Sequence, residues 1–296
     1  MSGLINKIKT YGAKKITLSI IKYIIVFIFI LWILIPVAWI VALSFKPYAE
    51  WRVSYLIPKN PTLSNYVMLF APKQLQIFIA YTAVIEPITK PLLNSVIVSF
   101  IATLIATTIG FFTAYGASRY NTPGPFMIFF TLLTRMLPPA TFVTPLVVYY
   151  TTLQLLDNLI GLILLYAAAS VTYAIWIIKG YIDAIPREWE EAALLEGAKP
   201  LEVLRKVILP IARPGIVVSG LFIFLLCWTE LLFALVLTHI HAVTLPVQIS
   251  KYVTGVGPLY GAQAAAALLG SLPPVIIGYL IQRHLITGFT FGLVRG

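Results

Sequence analysis

Long apolar runs alternate along this chain with short polar stretches. Six runs reach or approach the roughly 20 residues that a helix needs to cross the hydrocarbon core of a bilayer. They cover residues 23–43, 92–117, 126–156, 159–178, 214–238 and 264–281. In lipid every backbone N–H and C=O must find its partner within its own segment or within a closed barrel, and uninterrupted runs suit helices better than ten-residue alternating strands. The expected fold class is therefore all-α, a polytopic membrane protein with six transmembrane helices. The third run is broken by Arg135, Pro138 and Pro139, which predicts a kink, because proline removes a donor and clashes with the preceding turn. A seventh apolar stretch, residues 75–85, is too short to span and is expected as an interfacial helix in the first outer loop, residues 44–91.

Composition agrees: 60% of the 296 residues are hydrophobic and 10% charged, and the mean hydropathy is +0.94, too apolar for a soluble domain. The formal charge of +11 raises the question of nucleic acid, but no stretch carries the dense basic stripe a phosphate backbone needs, so no nucleic-acid partner is expected. The cations are sorted by side. Lys7, Lys9, Lys14, Lys15 and Lys22 precede the first run, marking residues 1–22 as a cytoplasmic N-terminal segment; the 21-residue uncharged run 23–43 reads as a retained anchor and not a cleaved signal. With the N-terminus inside, six spans return the C-terminus to the inside, placing 14 cations inside, 6 outside, and Arg135 within the membrane. Cys227 is alone, so no disulfide framework is available.

Residues 179–213 break the apolar pattern, holding 12 of the chain's 31 charged residues. Pro186 and Gly197 bracket a short helix through Glu191, Ala192 and Ala193. Pro200 then opens a second helix at its first turn, with Leu201, Leu204 and Ile208 on one face and Leu209-Pro210 closing the unit. The prediction is a small amphipathic helix-turn-helix at the cytoplasmic surface.

Glu191-Ala192-Ala193, Gly197 and Val207-Ile208-Leu209-Pro210 fall in a register that resembles the signature of permease subunits of binding-protein-dependent ABC importers. Val207 stands where the signature has Ile. Met136-Leu137-Pro138-Pro139, Asp157-Asn158, Trp228-Thr229-Glu230 and the terminal Gly292 to Gly296 are similar to the carbohydrate-uptake, MalG-like branch. Thr229 departs from the usual Asn there, and Lys199 from the usual small polar residue.

This resemblance implies a multi-pass plasma or inner membrane subunit whose partners are a second permease, two ATPase subunits, an extracytoplasmic sugar-binding protein and the lipid bilayer. The chain has no phosphate-binding Gly-x-x-x-x-Gly-Lys-Ser/Thr loop, so no cofactor is expected in it, and ATP and Mg would reside in the partner ATPase. In the hairpin, Glu191 would supply a charged contact, Ala192 and Ala193 a close-approach face, Gly197 a turn and close packing, and Leu201, Leu204 and Pro210 the rest of the coupling surface. No catalytic or metal site is expected; His239 and His241 lack a third ligand nearby in sequence.

Candidates for the translocation path are Asn94, Arg135, Pro138, Trp228 and Glu230. A charge inside a span costs about 2.5 to 3.5 kcal/mol on insertion scales and marks a functional position. Arg135 and Glu230 differ in depth by about 10 Å, so an ion pair between them would need help from tilt or the kink. Asn94 and Trp228 suit sugar hydroxyls and ring faces, with helix bracing as the alternative. A secondary transporter would show matched broken helices in two halves, and the Pro138-Pro139 and Pro273-Pro274 segments do not match. An intramembrane enzyme would need motifs that are absent here. A permease for a non-sugar solute remains the nearest alternative.

Overall fold

The computed structural model describes residues 2–71, 86–254 and 257–293, so the helix expected at 75–85 lies outside the described residues. The chain divides into two compact units, residues 1–83 with 254–268, and residues 84–253 with 269–296.

The first unit begins with α1 (Ser2–Ser44). Its side chains from Leu18 to Ala38 are all exposed, and a helix apolar on every side is stable only where lipid or another membrane helix covers it. The chain then folds into a small polar knot. Lys46 is fully buried. Its Nζ donates to the carbonyls of Val53 (3.1 Å) and Tyr55 (2.5 Å) and lies 4.5 Å from the Trp39 ring centroid, so carbonyl dipoles and a π face replace its water. Asn65, on α2 (Ser64–Phe70), donates to the carbonyls of Ser44 and Lys46, both at 2.8 Å.

The second unit is built on α3 (Thr89–Tyr120), α6 (Leu159–Asp183) and α9 (Leu209–Trp228). Ala102, Ala106, Gly110 and Ala114 recur every four residues on the buried face of α3. A Cβ on Gly110 would sit 2.2 Å from that of Ala174 on α6. Without a hydrophobic drive between helices in lipid, such small residues permit the backbone approach on which dispersion depends. Asn158 caps α6, its side chain accepting the Ile160 N–H at 2.8 Å.

The third run departs from expectation. It is two helices, α4 (Pro125–Met136) and α5 (Val143–Thr152), bent by 92°. Leu137 (ψ 133°) and Pro138 (ψ 126°) are extended, because each precedes a proline and is pushed out of the helical region. The pair still makes one passage. α3 and α6 end side by side, where Arg119 donates to the carbonyls of Ile182 and Ile185 at 3.1 and 3.0 Å. Near their beginnings, Asn94 and Asp157 both bind segment 239–243. The α4–α5 pair therefore carries the chain from one end of the unit back to the other. With it the described residues hold six candidate spans; without it, five.

The fifth run is also displaced. α8 (Pro200–Val203) continues through a π-helical turn, Leu204–Ile208, straight into α9, so Leu209-Pro210 does not close the hairpin. Pro210 has no N–H to give, and the Leu209 N–H reaches back five residues to the Leu204 carbonyl, keeping the helix continuous past the proline. α9 stops at Trp228, and α10 (Leu232–Leu237) follows after a three-residue break. Then come α11 (Leu245–Ser250), two two-residue strands and α12 (Tyr260–Leu293).

Candidate coupling hairpin and membrane-embedded polar residues

The charged loop folds as a helix-turn-helix. α7 (Glu188–Leu195) ends in two bonds, Gly197 N–H to Leu194 O and Ala198 N–H to Ala193 O, both 3.0 Å. This pair satisfies the last carbonyls and requires a left-handed residue between them, and Gly197 supplies it at φ +90°. A Cβ at Gly197 would meet nothing within 4 Å. Within this chain the glycine is required by its backbone angle and not by close packing. Pro200 occupies the first position of α8, and Glu202 accepts the Lys199 N–H at 3.1 Å.

Glu191, Ala192, Gly197, Leu201 and Pro210 are exposed, and Ala193 and Leu204 are half-buried. The apolar face expected for the second helix differs in burial along its length: Leu201 is 73% exposed and Ile208 fully buried, because Ile208 lies about 10 Å further along the continuous helix, where it enters the bundle. Trp189 (54% exposed) and Leu195 (89%) join Leu201 in giving the hairpin a solvent-facing apolar surface. Beside it a cleft of about 380 Å³ is lined by Glu196, Glu202, Lys206 and the Gly197 turn.

Glu190, beside the signature Glu191, is buried. It pairs with Arg119 Nε at the end of α3 and accepts from Tyr115 Oη at 3.3 Å. Arg119 spends its other donors on Ser118 Oγ and the Ile182 and Ile185 carbonyls. Arg187 donates to the Ser118 carbonyl at 3.1 Å. Nothing local in the sequence joins positions 71 residues apart; the only hint was a cation in the last turn of a span.

The path candidates do not converge. Arg135 lies 4.9 Å from the Tyr173 ring centroid, and no ion pair joins it to Glu230 among the described residues. Glu230 sits in the break between α9 and α10, accepting from Tyr166 Oη (2.5 Å) and from the Phe233 (2.9 Å) and Ala234 (3.2 Å) N–H groups. Its side chain thus accepts two of the otherwise unpaired N–H groups in the first turn of α10. Trp228 is buried and donates to the Gly270 carbonyl at 2.9 Å. Asn94 is buried and gives its amide protons to the carbonyls of His241 and Val243, both at 2.9 Å. Those contacts brace helices. Pro138 is exposed at the bend.

At the opposite end of the unit, the Asp157 carboxylate accepts the N–H groups of His239, Ile240, His241 and Ala242 at 2.8 to 3.1 Å. Burial pushes this carboxyl up, but the four N–H groups outweigh it and hold it down at about 2. No group of metal-ligating side chains forms among the described residues.

A bundle of apolar helices with an exposed helix-turn-helix at one end, and polar side chains mostly engaged in bracing, has the build of a membrane transport subunit. Residues 106–290 match the family of binding-protein-dependent transport system inner membrane components, and the chain belongs to that family. It is 33% identical over 89% of its length to the trehalose transport system permease protein SugB of Mycobacterium tuberculosis, covering 93% of that protein. It is 29% identical over 89% of its length to the trehalose/maltose transport system permease protein MalG of Thermococcus litoralis, covering 92% of it. A chain of a bacterial ABC transporter involved in the import of the acidic polysaccharide alginate shares the fold, with a TM-score of 0.68 over 90% of this chain and 95% of that one, at 20% identity.

Proposed function

We propose that this chain is the permease subunit of an ATP-driven importer for a sugar, paired with a second permease and seated on two ATPase subunits, with an external binding protein delivering the solute. The observation that carries the sugar reading is the likeness to trehalose and maltose permeases over 89% of the chain. The excess of cations on the side of the N-terminus and of the hairpin supports a cytoplasmic hairpin.

The exposed surface of Trp189, Glu191, Leu195 and Leu201 docks in a cleft of one ATPase, where apolar side chains that water now covers become buried. ATP and Mg are held by that partner. Closure of the ATPase pair displaces the hairpin, and because its second helix is continuous with α9, the displacement enters the membrane as a rigid-body movement and not as bending of a loop. Arg135, held over Tyr173, contributes to the solute path or to the contact with the second permease.

The test is purification of the tagged chain from its native membrane, identification of the co-purifying subunits, and uptake by proteoliposomes of a panel of labelled mono-, di- and oligosaccharides. Recovery of an ATPase and uptake of at least one sugar are expected. Recovery of an ATPase with uptake of none would leave the permease role and remove the sugar.

A further inference from the structure

The hairpin joins the bundle through the backbone at both ends, and only one of the two joints is an unbroken helix. Its second helix runs unbroken into α9. Its first helix, α7, is joined to α6 by the non-helical residues 184–187. Arg187 ties the start of α7 to the Ser118 carbonyl at 3.1 Å, and the residue that links α7 to both α3 and α6 is Arg119. The guanidinium sits at the end of α3 with its side chain 7% exposed, and it holds three elements at once. Its Nε binds Glu190 on α7, its Nη1 binds Ser118 Oγ on α3 at 3.2 Å, and its Nη2 binds the Ile182 and Ile185 carbonyls at the end of α6. The planar fork can satisfy all of these together, whereas a lysine ammonium would not. Burial makes the arrangement binding in the other direction too: if Glu190 swings away, it leaves an unpaired buried guanidinium.

We propose that Arg119 is a positioning residue for transport: it clamps the first coupling helix to α3 and α6, so that these two spans move with the hairpin as one body through the ATPase cycle. The proposal rests on the reading of the hairpin as the ATPase-docking element. None of the exposed docking side chains touches Arg119, so removing the clamp leaves the docking surface in place and lets it swivel.

The measurement uses the assembled complex with Cys227→Ser as background and spin labels at Leu104→Cys and Glu188→Cys. Both positions are exposed, and Leu104 lies about 22 Å along α3 from Arg119. Electron–electron distances are recorded without nucleotide and after trapping with MgATP and vanadate. The expected result is the same distance in both states, and a distance that shifts or broadens on trapping in the Arg119→Gln/Glu190→Gln double variant. That double variant removes both charges, so no buried charge is left unpaired, and it is expected to co-purify with the ATPase as the parent does. A distance that changes on trapping in the parent, or one that stays fixed in the double variant, overturns the clamp. Loss of ATPase association in the double variant also overturns it, by making Arg119 a fold-holding residue only. Gly197→Val separates the two readings: if it keeps full ATPase association, the hairpin is not the docking element, whereas loss of association there alongside a fixed distance in the double variant sinks the clamp alone.

Discussion

At Gly197 a Cβ would have open space around it, yet φ is +90°. Substitution is therefore opposed by the backbone, by about 1 to 2 kcal/mol for a residue forced left-handed, and most strongly for a β-branched one. Gly197→Val is expected to unwind the turn between α7 and α8 and to abolish co-purification of the ATPase, while Gly180→Ala, at a glycine that also has no neighbour within 4 Å of its Cβ but lacks a positive φ, leaves it unchanged. Equal behaviour of the two variants would remove the conformational argument. Asp157 makes a prediction in pH. Its folded carboxyl lies at about 2, below its ordinary 3.8, so it stabilises the fold fully above the unfolded value and loses that contribution as pH falls through the folded one. Asp157→Asn should lower thermal stability at pH 7, by about 1 kcal/mol once solvent screening is discounted, and the difference from the parent should shrink between pH 4 and about pH 2. A difference that does not change over that interval would show that the charge is not what the four N–H groups bind.

Among the elements, α3 and α6 carry the closest approach in the second unit, and its mechanism is steric. Their small residues meet at Gly110 and Ala174, where an added Cβ would stand 2.2 Å from another. Gly110→Leu is expected to force the helices apart at a cost of about 1 to 3 kcal/mol, read as a lower midpoint in detergent unfolding, with membrane insertion unaffected because hydropathy is preserved. An unchanged midpoint would mean the helices slide to accommodate the side chain. The same stripe of Ala and Gly was present in the sequence, but hydropathy sees only a run apolar enough to span. The proline pair was legible as a break, whereas its angle of 92° was not, since a kink and a corner differ by which extended ψ values the neighbours can tolerate. Leu209-Pro210 misled in the opposite sense: proline usually ends a helix, and here a π-turn carries the helix through.

At the scale of the whole molecule, two clusters mark opposite ends of the second unit. Arg119 gathers the ends of α3 and α6 with the hairpin, and Asp157 and Asn94 gather segment 239–243. The proposed cytoplasmic hairpin predicts that a single cysteine introduced as Glu191→Cys in the Cys227→Ser background reacts with a membrane-impermeant thiol reagent only in inverted vesicles. His241→Cys should react only in right-side-out cells, and the reverse pattern would invert the proposed topology. The sequence by itself determined the class, because hydropathy and cation placement report the solvent around each segment and need no knowledge of neighbours. It also determined the hairpin's two helices and the glycine between them, since capping and turn chemistry are local. Only the tertiary structure decided that Glu190, and not the signature Glu191, anchors the first of those helices, that Asn94 and Trp228 are engaged with backbone carbonyls, and that Arg135 and Glu230 do not pair. Each of those outcomes depends on which groups meet after chain segments tens of residues apart have packed, and periodicity along one segment carries no record of its partner.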